Sequence, residues 1–162
     1  MTKPFRTAGI AAAAALAVSA LVPAAAQAND TQTTDIGGTI ETGSFTVTAE
    51  NPRKVDNLKT VDVTTCATNV PEGERVRVSW DPWTLTNVDH DQFKAGQYEG
   101  GTDATNYPYG DNAAENGENA TERYLANGEC ATGTIGFADD GFTKELVYQN
   151  GYGETGVWRL DS

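Results

Sequence analysis

The chain has 162 residues, 23 Asp+Glu against 11 Lys+Arg for a net charge of −12, two cysteines and a single histidine. An acidic balance of this size repels phosphate backbones and anionic lipid surfaces, which argues against nucleic acid and the membrane surface as partners. It also keeps a protein soluble and unassociated, so a monomer is expected.

Residues 1–28, MTKPFRTAGIAAAAALAVSALVPAAAQA, read as a cleaved signal peptide. Lys3 and Arg6 form a positive n-region, Ile10 to Val22 an apolar h-region, and Ala26-Gln27-Ala28 an A-x-A cleavage site. The apolar run falls short of the ~20 residues that a span needs, so no membrane insertion is expected after cleavage. The mature protein is expected to be secreted, and more acidic still without Lys3 and Arg6. Residues 29–35 are expected to be a flexible lead-in to one domain over 36–160, a length that supports a real core.

Strand signals then follow one another. SFTVTAE (44–50) alternates through Phe45, Val47 and Ala49, and TVDVTTC (60–66) through Val61 and Val63. In ERVRVSW (74–80), Val76, Val78 and Trp80 are expected to face inward, with Arg75, Arg77 and Ser79 outward. TGTIGF (132–137), ELVYQ (145–149) and GVWRL (156–160) carry Ile135 and Phe137, Leu146 and Tyr148, and Trp158 and Leu160. A period of two with β-branched and aromatic enrichment predicts strands. Turns are expected at Asn51-Pro52, Pro71-Glu72-Gly73, Asp139-Asp140-Gly141 and Asn150-Gly151. No segment beyond the leader carries a helical stripe. Half-apolar strands must bury one face, so two packed antiparallel sheets are the expected architecture, with a small six-stranded barrel as the rival.

Two cysteines in an exported chain predict one disulfide, Cys66–Cys130. Closing so long a loop stabilises the fold by roughly 4 kcal/mol on the chain-entropy account. Both cysteines are out of phase with the apolar positions of their own runs. The bridge is therefore expected off the main core, tying two strand ends.

Between the strands lies EGGTDATNYPYGDNAAENGENATE (99–122), with six acids and no Lys or Arg. Its composition predicts a mobile acidic loop across one end of the sandwich. Tyr98, Tyr107 and Tyr109 are the aromatic residues expected at the surface, where they could form a partner contact.

The run Leu125-x-x-Gly128-Glu129-x-x-x-Gly133-x-Ile135-x-Phe137, then Leu146-x-Tyr148 and Trp158-x-Leu160, resembles a widespread family of exported Gram-positive domains. The small secreted immunogenic antigens of mycobacteria are among its members. Trp83-x-Leu85 followed by Asp89-His90-Asp91 is similar to that family's core strand and acidic turn. The resemblance covers roughly residues 36–160 and implies a telokin-like, immunoglobulin-like β-sandwich, a secreted location and an interaction role. It carries no catalytic residue. The chain departs from the pattern at Gln92, where the family usually has glycine, and in the length of the 99–122 excursion.

Residue chemistry points the same way. His90 alone cannot complete a Ser-His-Asp, Cys-His or His-based zinc site. Nothing in the spacing selects two of the 23 acids for glycoside hydrolysis. Ala113 and Asn116 break the helix-loop-helix calcium pattern counted from Asp111. No metal site is therefore assigned, the weak calcium candidates being Asp89, Asp91, Asp111 and Glu115. Trp80 and Trp158 are in phase with the core rather than placed as a sugar platform. The expectation is a non-catalytic, cofactor-free interaction module whose partner is a protein or a cell-envelope component. A calcium-dependent or glycan-binding module is the alternative, and a small hydrolase a distant third.

Overall fold

The computed structural model describes residues 31–87, 91–95, 105–110, 121–138 and 143–160. The described chain is a β-sandwich. One sheet has the order β1 (Thr31–Asp35), β11 (Thr155–Arg159), β10 (Thr143–Gln149), β6 (Trp83–Asn87), β7 (Gln92–Lys94). The facing sheet has the order β2 (Thr39–Glu41), β3 (Phe45–Val55), β4 (Leu58–Ala67), β9 (Cys130–Ala138). A two-stranded ribbon, β5 (Val76–Ser79) with β8 (Glu122–Leu125), completes it. Pairing is antiparallel except between β1 and β11, which run parallel.

Alternation decides which side chains meet. Phe45, Val47 and Ala49 of β3, Val61 and Val63 of β4, and Ile135 and Phe137 of β9 are all buried on one inner face. Trp83 and Leu85 of β6, Leu146 and Tyr148 of β10, and Trp158 of β11 supply the other. Each large apolar side chain so buried contributes roughly 1.5–3 kcal/mol. The Trp83 and Trp158 rings stack with centroids 5.6 Å apart, and Tyr148 lies tilted against Trp83 at 5.0 Å. Trp158 Nε1 donates to the Gly38 carbonyl at 2.8 Å, joining β11 to the segment that enters β2. Gly37, at φ +89, lets the chain step from β1 in one sheet to β2 in the other.

Several expectations are corrected. Residues 31–35 are not a loose lead-in: they form β1, held by the β11 ladder and by an Arg159–Asp35 ion pair of 3.0 Å. TQTTD has no apolar alternation because this strand is exposed and held by backbone pairing. Asn51-Pro52 does not reverse the chain. It forms a bulge inside β3, with Asn51 at φ 50, and the reversal comes at Asp56-Asn57, between the paired Val55 and Leu58. In β5, Val78 is inward as expected, but Ser79 is buried and Trp80 only half-buried. The Asp139-Asp140-Gly141 turn lies outside the described residues.

The disulfide forms where expected. Cys66 and Cys130 are direct cross-strand partners on β4 and β9, Cys66 half-buried and Cys130 exposed. They sit at the end of β4 and the start of β9, on the outward face of the sheet.

The described part of the acidic excursion is packed. Asn106 and Tyr107 donate their backbone N–H groups to the Thr134 carbonyl at 3.0 and 3.2 Å. Thr134 N–H donates to Asn106 Oδ1 at 2.6 Å, and Gly136 N–H to Thr105 Oγ1 at 2.9 Å. These bonds satisfy the free edge of β9, which would otherwise be a template for another strand. Tyr107 is 2% exposed and donates its hydroxyl to the buried Thr65 Oγ1 at 2.9 Å. The surface role expected for Tyr107 is therefore overturned: its ring meets Trp83 edge-on at 6.5 Å, as part of the core.

Two tests follow from this packing. Reduction of the bridge should lower the melting temperature of residues 29–162 by about 10 °C, and an unchanged melt would mean that it contributes nothing. Gly133→Ala would place a methyl 2.6 Å from Tyr107 Cα and 2.7 Å from its N, both backbone atoms that cannot swing aside. That variant should lose about 1–3 kcal/mol in denaturant titration, with amide exchange at 105–110 rising first.

Candidate functional site

The outward face of the β3–β4–β9 sheet carries a built polar site. It begins with the bulge between Glu50 and Arg53, which shifts the register and brings Arg53 back across β4. Arg53 Nη1 lies 2.8 Å from Asp62 Oδ1, and Arg53 Nη2 donates to Thr134 Oγ1 at 3.4 Å. Thr134 donates its hydroxyl to Asp62 Oδ1 at 2.8 Å, and Asn51 Nδ2 reaches Asp62 Oδ2 at 3.3 Å. Glu50, Asp62 and Thr134 are cross-strand partners in one row, so the network runs across three strands.

Asp62 is electrostatically settled. Burial pushes its carboxyl up, but the hydrogen bonds from Thr134, Arg53 and Asn51 and the Arg53 charge outweigh burial and hold it below its ordinary 3.8. At neutral pH it is an ionised acceptor occupied with three donors. It is not poised for proton transfer.

Beside this network opens a cleft of about 260 Å³. Its floor is Glu50, Asp62, Thr64, Thr132 and Thr134, and its wall is Asn106 and Gly110 of the segment that caps β9. Gly110, at φ +55, brings that wall close, since a Cβ there would lie 3.2 Å from the Thr132 carbonyl oxygen. Besides Val63 and the glycines at 110 and 133, the lining side chains are hydroxyl, amide and carboxylate, with no aromatic ring. Such a surface recognises by hydrogen bonding.

The expected contact and metal residues do not gather there. Tyr109 is half-buried, donates its hydroxyl to the Glu122 carbonyl at 2.9 Å and lies beneath the Arg123 guanidinium, 5.9 Å from its ring centre. It is a structural residue of the β8 junction. Tyr98, Asp89, Asp111 and Glu115 lie outside the described residues. Asp91 is described, and its carboxylate accepts from Asn87 Nδ2 at 3.2 Å, while Asn87 Oδ1 accepts from Asp91 N–H at 2.8 Å. That side chain serves the β6–β7 connection. Among the described residues, no group of three His, Cys, Asp or Glu side chains converges as a metal site. The most exposed aromatic residues described are Tyr124 and Tyr152, at 51% and 72%. Sequence reasoning passed over both because they sit in or beside strands, and exposure there depends on register.

Asp62 and the threonines of the cleft were missed as well. The signal available was the polar half of TVT, TVDVTTC and TGT, which period-two reading discards as solvent face.

No model of a known protein family matches the sequence, and no curated protein matches it. Among solved structures, a secreted protein from Mycobacterium tuberculosis, MPT63, is similar in fold. It has a TM-score of 0.56 over 82% of this chain and 99% of that one, at 13% identity. The yjhA protein from Bacillus subtilis is similar too, with a TM-score of 0.54 over 80% of this chain and 99% of that one, at 14% identity. At such identities the likeness is one of architecture, and the expected resemblance to secreted mycobacterial antigens holds at that level. The chain shares a small β-sandwich fold with a secreted protein, and its own fold is tied by the Cys66–Cys130 disulfide.

Proposed function

We propose that this chain is an exported, non-catalytic binding module that holds an extracellular partner, a protein or a cell-envelope component, in the cleft on the β3–β4–β9 face. Export is supported by the expected leader, by the disulfide, which needs an oxidising compartment to persist, and by the fold shared with a secreted protein. The observation that carries the binding reading is the state of Asp62. A general acid or base works best with a pKa near the operating pH, reached by burial or like-charge crowding. Asp62 is held in the opposite direction by fixed donors. Its neighbours Thr64, Thr132, Thr134 and Asn106 can give and take hydrogen bonds but do not titrate near neutrality. Preformed hydrogen-bonding groups around an open cleft fit selective holding.

The test is retention of the secreted protein on isolated cell envelopes. Thr132 is exposed, so Thr132→Arg should fill the cleft without disturbing the core. Retention should fall at least about tenfold, with the melting temperature within about 1 °C of the parent. Undiminished retention would exclude the cleft. Retention should also be flat from about pH 8 to about pH 5, because a carboxyl held below 3.8 stays ionised throughout that range. A sigmoidal loss within it would mean that another group governs binding.

A further inference from the structure

The cleft is one end of a longer feature. Thr39 of β2, Thr48 of β3, Thr64 of β4 and Thr132 of β9 are successive cross-strand partners, one from each strand of the sheet. All four point outward: Thr39 and Thr132 are exposed, Thr48 and Thr64 half-buried. The Thr39 and Thr48 hydroxyls lie 2.8 Å apart and hydrogen-bond to each other. The row ends in the cleft, whose floor includes Thr64 and Thr132. Strand propensity accounts for each threonine singly. It does not require the four to fall in one register row, nor the row to end in a cavity.

We infer that this row is a binding track for a neutral, linear polysaccharide laid across the strands with one end in the cleft. The inference rests on reading the cleft as a binding site. Its support is chemical and geometric. Neighbouring strands are about 4.8 Å apart, so the row offers a side-chain hydroxyl at about the repeat of one sugar unit in an extended glycan, over about 15 Å. Each hydroxyl both donates and accepts, as sugar hydroxyls do, and its γ-methyl offers an apolar contact to a ring C–H face. Threonine is stiff at χ1, so little side-chain freedom is lost when a ligand is held.

Charge narrows the ligand. The chain carries a net −12, and Glu41 and Glu50 flank a row that is itself uncharged, while Asp62 is paired with Arg53. An anionic polymer would be repelled by those two carboxylates and by the net charge, whereas a neutral one is not. The disulfide adds a mechanical argument. Cys66 and Cys130 are the next outward pair after Thr64 and Thr132 on the same two strands. The bridge therefore locks the register of the two strands that carry the row into the cleft.

The experiment is a calorimetric and chemical-shift titration of the intact secreted chain with neutral β-1,4-linked oligosaccharides of two to six units. Oligogalacturonate of equal length serves as the anionic comparison. Affinity should rise with length to about four units, one per strand, and then level off. The anionic oligomer should bind about tenfold more weakly or less. The combined variant Thr48→Val, Thr64→Val, Thr132→Val keeps side-chain shape and strand propensity while removing three hydroxyls. It should lose about tenfold or more in affinity at an unchanged melting temperature. No binding by any neutral oligomer, or full binding by the valine variant, would overturn the inference. If Thr132→Arg abolishes envelope retention while the valine variant retains fully, the cleft binds a partner of another chemistry and the polysaccharide is excluded. If neither variant affects retention, the reading of the cleft as a binding site falls with it.

Discussion

The structure depends on the aromatic block formed by Trp83, Trp158, Tyr148 and Tyr107. Two tryptophans in stacked contact on neighbouring regions of one sheet present a wide apolar surface that the small side chains opposite cannot cover alone. Val47, Val61, Val63 and Ala49 leave room at the β9 side, where Gly133 contributes no side chain. Tyr107 enters that space over the glycine, and burying its ring ties down residues 105–110. With its ring fixed, the backbone beside it reaches the unpaired groups of β9 and satisfies them. Asn106 and Gly110 then become the wall of a cleft on the opposite, outward face. Core packing, edge protection and the candidate site thus share one cause. The burial that secures Tyr107 also pushes its phenol well above the ordinary value of 10, so the hydroxyl remains a donor to Thr65.

This arrangement explains what could be read from the sequence. The long strands β3, β4, β9, β10 and β11 were legible because each alternates over a buried face, and the apolar residues of those faces are in the core. The disulfide and its position away from the core followed from two cysteines out of phase with those residues. Strands held chiefly by backbone pairing, such as β1 and β7, carry no such signal, since their side chains are largely exposed. Residues 105–110 of the excursion misled for the same reason. Its composition is polar and acidic, and Tyr107, which buries its ring in the core, looks like a surface aromatic until Gly133 is seen to leave a place for it.

The candidate site was less legible than the fold, and the reason is register. Outward residues of TVT, TVDVTTC and TGT are individually unremarkable, and threonine is common on solvent-facing strands. Their meaning comes from which residue stands opposite which. A one-residue slip of β9 against β4 would turn Thr132 to the inner face and set Gly133 or Ala131 beside Thr64 instead. Alternation within one strand assigns its face but leaves its partners open, so a row built from four strands cannot be read from any of them.

Register also gives the exposed bridge a role beyond chain entropy. A disulfide buried between sheets would fix the distance between layers, whereas Cys66–Cys130 lies within one layer and fixes how β4 slides against β9. β9 is the outermost strand of its sheet, paired with β4 on one side and with the short 105–107 segment on the other. An edge strand with glycine at 133 and 136 packs fewer side chains than its neighbours and has less to hold its register. A covalent link at its start compensates for that. The core tolerates glycine at 133 because Tyr107 fills the space, and the outward face keeps its hydroxyl row because the bridge prevents the slip that those glycines invite.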